Sequence, residues 1–415
     1  MMDNKKILLD WIEGDRERLI EFLSRFIQAK SPNPPGDTVA AADHVRGLLD
    51  GEGLEYRVIA PNERMPNIVA SFEGGAPGRH LVLNGHIDVF PVPDEERWSH
   101  GPWSGAVAEG RIWGRGAADM KCGTTASIFT YLYLSRIRDQ LKGRLTLTAV
   151  SDEETFGPYG ARYLIANHRE VHGDCCLNGE PSGPRTLRFG EKGLIWLRFT
   201  IATRGAHGAY PHLTVSASKL AARLIGELES LTEIEMEMPD NVVTALKDAR
   251  EEIEAAQGAG AADVVSRVSV NVGLLTSGVK VNMTPGQAEM EVDVRLPVGV
   301  TAERVLGEVE TILERYPEVS MEEINRNAPS WCDPFGEMAE ILRDNVRTLR
   351  GFVPKPVVSL GATDTRLWRY ENVPAYVYGP VPAGMGSYDE HVEVEEFLHT
   401  VRTHVLSAYD YLSRG

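Results

Sequence analysis

The sequence predicts an α/β fold whose main domain has a central, largely parallel sheet and is interrupted by a small α+β sandwich of βαββαβ order. The chain has 415 residues, more than the roughly 250–300 that one hydrophobic core usually organises, so two domains are expected. Up to about residue 187, runs rich in β-branched residues alternate with helical patterns, the grammar of a parallel sheet covered by helices. From residue 190 the order becomes strand, helix, strand, strand, helix, strand, the split βαβ layout. The boundaries that follow are 1–187 and 327–415 for the two parts of the main domain and 188–326 for the insert.

In chain order, Ile7, Leu8, Trp11, Ile12, Leu19, Ile20, Phe22, Leu23 and Phe26 recur at helical spacing until "SPNPPG" stops the pattern. A second helix is expected near 37–50. The runs "EYRVIAP", "NIVASFEG", "HLVLNGHIDVF" and "RLTLTAVS" read as strands, with a helix at 119–138 between the last two. In the insert, "GLIWLRFTIATRG", "VVSRVSVNVGLLTSG", "AEMEVDVRLP" and "VSMEEIN" read as strands, while "TVSASKLAARLIGELESL" and "TAERVLGEVETILERY" read as helices. The Ala/Glu-rich piece at 248–262 has no proline and little β-propensity, which predicts a solvated helix and loop within the insert.

Charge and cysteine content narrow the function. Forty-three basic against 60 acidic residues leave a net charge of −17, which argues against nucleic acid and anionic membranes as partners, since both are held through Lys and Arg. No stretch reaches the 18 or so apolar residues of a membrane span, and charges interrupt the N-terminal apolar residues unlike a signal peptide, so a cytoplasmic protein is expected. Cys122, Cys175, Cys176 and Cys332 lack C-x-x-C spacing and read as reduced thiols.

The chemistry is carried by polar residues at the ends of apolar runs. In "LVLNGHIDVFP", His86 and Asp88 share one face of an extended strand. Asp119 stands in "GRGAADMKCG" where the chain enters a helix, Asp152, Glu153 and Glu154 follow another strand, and Glu180 follows a third. Each has a plain structural explanation: a strand end meeting water, a helix N-cap, a solvated acidic turn. In open α/β sheets, however, ligands bind beyond the carboxyl ends of the strands, and all of these residues fall there. One divalent-metal site, needing imidazole and carboxylates, accounts for them together.

The motifs "GHID", "GRGAADMKCG", "SDEE", "NGEPS", "GAHGAYPH" and "GATDTRLWR", in this order through nearly the whole chain, resemble the signatures of the zinc-dependent amidohydrolase and exopeptidase family that includes aminoacylase, carboxypeptidase G, acetylornithine deacetylase and succinyl-diaminopimelate desuccinylase. The resemblance implies a metal-binding catalytic domain interrupted by a lid that mediates homodimerisation, and one or two Zn2+ per subunit, with Co2+ or Mn2+ able to substitute. It implies that His86, Asp119, Glu154 and Glu180 ligate metal, Asp119 bridging two ions, and that Asp88 hydrogen-bonds the other imidazole nitrogen of His86. Glu153 would act on the water as general base, and His207 would stabilise the oxyanion, commonly in the partner subunit's site. Asn282 and Arg295 would bind the carboxylate of a small-molecule substrate, and Gly361 and Thr363 would line its pocket. The bare sequence also allows a surface histidine, a turn asparagine, an exposed strand arginine and an Asp364–Arg366 ion pair. The implied activity is hydrolysis of the amide bond of an N-acyl amino acid or small peptide; cleavage of another C–N bond and a non-catalytic metal-binding role are the alternatives.

One stretch departs from the pattern. The family places a metal-binding histidine four or five residues before a glutamate near the C-terminus, whereas "GPVPAGMGSYDEHVEVEEF" puts Gly386 there when Glu390 is aligned with that glutamate. His391 is the nearby histidine, able either to ligate through a shifted loop or to fill the apolar position after the glutamate. A single metal at His86, Asp119 and Glu180 is the competing expectation.

Overall fold

The computed structural model describes residues 4–414. Its nine-stranded sheet is built on three adjacent parallel strands, Lys142–Val150, Ala76–His86 and Cys175–Asn178, in that spatial order. Residues 81–86 are buried without alternation, as expected of a strand covered on both faces. Ala375–Val377 continues the parallel run beside Cys175–Asn178. The margins are antiparallel: Asn67–Glu73 pairs with Lys142–Val150 and with Arg57–Ile59 on one side, and Ser330–Trp331 pairs with Thr186–Glu191 on the other. The sheet is therefore mixed, parallel at the centre where the helical crossovers lie.

Helix Lys121–Ser135 is buried along almost its whole length, packed on the sheet beside the C-terminal helix Val394–Arg414. It reaches the strands because glycines remove side chains from the contact. A Cβ on Gly123 would lie 2.0 Å from the Gly179 carbonyl oxygen, and one on Gly85 would lie 2.5 Å from Thr124 Oγ1. This approach brings the start of the helix to the carboxyl ends of the central strands.

The insert forms a four-stranded antiparallel sheet in the order Ser269–Ser277, Gln287–Leu296, Gly193–Ala202, Val319–Asn327. Ala288, Met290, Val292, Val294 and Leu296 alternate inward and pack with the apolar faces of helices Ala217–Leu228 and Ala302–Leu313 in a core of their own. The expectation of a solvated helix at 248–262 is corrected. Helices Asp240–Asp248, Arg250–Gln257 and Ala261–Val265 and the residue between the first two bury Val242, Ala245, Leu246, Ala249, Ile253 and Val265 in the core of the main domain. Their apolar positions fall three to four residues apart, a helical stripe that the Ala/Glu composition concealed. Lys192 Nζ, donating to the carbonyls of Val264 at 2.8 Å and Arg267 at 2.7 Å, fastens the end of this strap beside the crossing into the lid.

The C-terminal helix carries two buried neutral histidines. His404 Nε2 donates to the Tyr378 carbonyl at 2.7 Å, and His399 Nε2 lies 2.7 Å from Tyr378 Oη. Burial pulls His399 down to about 3 and His404 to about 4. Below pH 6.5 the unfolded chain takes up protons that the folded chain refuses, so stability is full above 6.5 and is lost as pH falls. Urea unfolding between pH 6.5 and about 4.5 should show stability falling by about 1.4 kcal/mol per pH unit for each histidine. His404→Gln should make that slope shallower by one histidine's share; an unchanged slope would refute the assignment.

Candidate metal centre

Parallel pairing of Lys142–Val150, Ala76–His86 and Cys175–Asn178 sends their carboxyl ends to one edge. His86 ends the middle strand, Ser151–Glu154 follows the first and Glu180 follows the third; Asp119, from the loop before the glycine-seated helix, completes the group. His86 Nε2 lies 3.3 Å from Asp119 Oδ1 and 3.2 Å from Glu180 Oε1, and the three ligand atoms all lie within 4.8 Å of one another. Among the described residues this is the group able to hold a metal ion.

The donors fit a divalent cation. His86 Nδ1 lies 2.8 Å from the Asp88 carbonyl oxygen and so must donate its proton there, which leaves the Nε2 lone pair facing two carboxylates. Nε2 is buried, and neither carboxylate contact has hydrogen-bond geometry. A positive charge is needed at that point. Burial opposes protonation of His86, but Glu180 and Asp119 outweigh it and hold the imidazole well above its ordinary pKa. Glu180 is pushed up to about 7 by burial and by Asp119. One nitrogen and two carboxylates form a set that zinc and its first-row neighbours accept.

Asp88 supports the centre differently from the implied role. Its carboxylate stands 3.6 Å from His86 Nδ1, and the ring is held by the backbone carbonyl instead. The carboxylate accepts from the backbone N–H groups of Glu153 at 3.3 Å and Glu154 at 3.1 Å, and from Asn33 Nδ2 at 2.9 Å. Asn33 Nδ2 also donates to Asp152 Oδ1 at 3.1 Å. Sequence reasoning missed Asn33, since an asparagine inside "SPNPPG" reads as a turn residue. Glu153 and Glu154 each keep a buried carboxylate oxygen, Oε1, without a hydrogen-bond partner. Burial raises both carboxyls well above the usual range; Asp364 and Glu180 add to this at Glu153, and Asp119 at Glu154.

Arg366 Nη1 lies 3.6 Å from Glu153 Oε1 and donates to the Thr363 carbonyl, so the "GATDTR" loop does reach the site. Thr363 itself is buried, its backbone N–H donating to Glu191 Oε2 at 2.6 Å and its hydroxyl occupied by Thr365 Oγ1 at 2.5 Å. Gly361 is exposed, with open space where a side chain would stand. Asp364 does not pair with Arg366 through a hydrogen bond, and its buried Oδ2 has no partner. Arg188, also missed, turns its guanidinium to the Pro181 carbonyl close to Glu180.

The lid residues stand apart. His207 and Asn282 meet on an exposed two-stranded ribbon, where Gly208 N donates to the Asn282 carbonyl at 2.8 Å, and no hydrogen bond or ion pair among the described residues joins either to the metal acids. Arg295 is engaged by Asp293 at 2.9 Å. His391 is a correction: the structure does not bring it to the acids. Residues His391–Glu393 pair with Arg111–Trp113, the His391 ring lies against Trp113 with centroids 4.5 Å apart, and Nδ1 lies 2.8 Å from the Asp389 carbonyl. Neighbouring residues of an extended strand face opposite ways, and Glu390 takes the inward direction.

A family model described as Peptidase family M20/M25/M40 matches residues 82–410. The chain belongs to this family. Succinyl-diaminopimelate desuccinylase from Cereibacter sphaeroides is 27% identical over 389 residues, covering 92% of this chain and 96% of its own length. The M20 metallo-carboxypeptidase Sso-CP2 from Sulfolobus solfataricus matches in fold with a TM-score of 0.80 at 17% identity, over 95% of this chain and 99% of its own. The dipeptidase Dug1p from Saccharomyces cerevisiae matches with 0.76 at 16%, over 100% of both. As an M20 member the chain is a metal-dependent hydrolase of amide bonds.

Metal binding should be visible as stability. With free Zn2+ at about 100 times its dissociation constant, the folded state should gain about 2.7 kcal/mol, seen as a rise in melting temperature that EDTA reverses. His86→Ala should abolish the rise; a rise of equal size in the variant would remove His86 from the centre.

Proposed function

We infer that the chain hydrolyses the amide bond of an N-acyl amino acid or a small peptide carrying a free carboxylate. The observation that carries this reading is Glu153: a buried carboxylate whose Oε1 has no hydrogen-bond partner, next in sequence to Glu154 and feeling the charge of the His86 group. When bound at His86, Asp119 and Glu180, a divalent cation would polarise the scissile carbonyl and make a nearby water more acidic. Glu153 accepts the proton of the attacking water and returns it to the leaving amine nitrogen; burial raises its carboxyl well above the usual range and so strengthens it as a base. Arg366, 3.6 Å away, keeps the charged form within reach.

The metal is Zn2+ in this reading, with Co2+ or Mn2+ as substitutes. One site is tight. A second would have Asp119 and Glu154 but no imidazole, since Gly386 offers no side chain and His391 lies on Trp113. The body formed by 1–187 and 327–415 carries the centre, and the lid of 188–326 mediates a homodimer. The exposed edge strand Ser269–Ser277, with Leu274, Leu275 and the following Val279 and Val281 open to solvent, supports this. His207 and Asn282 then serve the partner subunit's site, the first at the oxyanion and the second, with Arg295, at the substrate carboxylate. Among the described residues no helix is long and apolar enough to cross a membrane, and free, mostly buried cysteines support a cytoplasmic setting.

Two measurements test the roles. Glu153→Gln should lower turnover of an N-acyl amino acid or dipeptide panel by about 10²–10⁴-fold while leaving zinc content unchanged; loss of zinc would mean Glu153 is a ligand. Calorimetric titration of metal-free protein with Zn2+ should give one tight site, and His391→Ala should give the same isotherm. A second tight site that disappears in His391→Ala would overturn the single-site reading.

A further inference from the structure

Glu390 is fully buried, and its two oxygens divide their work. Oε1 accepts three backbone N–H bonds, from Gly116, Ala118 and Asp119, each at 3.0 Å. Oε2 accepts from Arg115 Nη1 at 2.5 Å. The backbone of Glu390 is fixed as well, its carbonyl accepting from Gly114 N at 2.9 Å while the next residues pair with Arg111–Trp113. One side chain, more than 270 residues away in sequence, therefore gathers the N–H groups of the loop that ends in Asp119. These amides precede the first turn of helix Lys121–Ser135, and without Glu390 no other group among the described residues accepts them. Buried amides left unpaired would force the loop to rearrange.

We propose that Glu390 is a positioning residue of the metal centre: by collecting the amides of residues 116, 118 and 119 it fixes the direction of the Asp119 carboxylate and thereby sets the affinity for metal. The inference rests on the reading of His86, Asp119 and Glu180 as ligands. Glu390 makes no hydrogen bond to a ligand atom among the described residues, so it acts through the backbone of residues 116–119. It is the only acidic side chain hydrogen-bonded to that loop among the described residues, and Arg115 holds it in the single rotation that points Oε1 at all three donors. The C-terminal segment thus contributes to the centre through Glu390 although Gly386 and His391 contribute no ligand.

Zn2+ affinity of the metal-free protein, measured in zinc buffers, tests this. Glu390→Ala, which removes the acceptor altogether, should weaken binding 10–100-fold, the range that groups supporting metal ligands typically provide. Arg115→Gln, which frees the carboxylate to rotate but keeps it, should weaken binding less. Amide hydrogen exchange of Gly116, Ala118 and Asp119 should accelerate at least 10-fold in Glu390→Ala, a change that needs neither metal nor activity. Asn345→Ala is the control: it removes buried hydrogen bonds to Ser407 and Asp410 on the C-terminal helix and should lower the melting temperature without moving zinc affinity. Equal affinity in wild type and Glu390→Ala, or equal loss in Asn345→Ala, overturns the proposal. Should Glu390→Ala fail to fold, Arg115→Gln decides alone: unchanged affinity and unchanged exchange overturn it. Failure of wild type to bind Zn2+ at all would instead reject the ligand reading itself.

Discussion

The structure turns on a concentration of negative charge that water hardly reaches. Asp119, Glu153, Glu180 and Asp364 are all nearly buried around one imidazole, with Glu154 beside them. Isolated carboxylates in such a place are costly, because the protein interior cannot replace their hydration. Burial raises Glu153, Glu154, Glu180 and Asp364 above the ordinary carboxylate range. The repulsion among them is the complement of a cation, and it explains why the fold assembles these groups at a sheet edge, where the strands supply rigid anchors and the loops supply the acids.

Rigidity around the centre comes from hydrogen bonds to backbone. The carboxylate of Asp88 takes the amides of Glu153 and Glu154, that of Glu390 takes the amides before Asp119, and Asn33 joins Asp88 to Asp152. Lys121 extends the same logic outward: fully buried, it donates to the carbonyls of Phe26 at 2.8 Å and Ala29 at 2.7 Å and so ties the end of the opening helices to the metal loop. Polar groups whose sequence positions suggest catalysis thus serve mainly to hold the backbone from which catalytic groups project.

The lid is connected to this centre by two routes. The strap of helices 240–265 packs into the main core, and Lys192 fastens its end. Nearer the acids, the Arg366 guanidinium stacks on Phe156 at 4.8 Å, and Phe156 meets Trp196 of the lid sheet edge-on at 6.4 Å. These contacts place a continuous stack of side chains between the sheet of the insert and Glu153.

The sequence by itself determined most of the elements and pointed to a candidate metal group. Period-two and helical patterns place the strands, the helices and the βαββαβ insert, because burial of one face leaves its mark residue by residue. Polar residues ending apolar runs point to a group that includes His86, Asp119, Glu153, Glu154 and Glu180, since a strand's end is where a buried side chain can meet a ligand; the structure brings His86, Asp119 and Glu180 within 4.8 Å of one another. What only the tertiary structure decided are the relations between distant segments. That His391 turns to Trp113 while Glu390 turns inward depends on the pairing of His391–Glu393 with Arg111–Trp113, and that Asp88 grips the 153–154 backbone depends on the order of strands in the sheet. The strap's attachment to the main core belongs to the same class. Such contacts join residues tens to hundreds of positions apart, and local pattern records which face is buried but not what buries it.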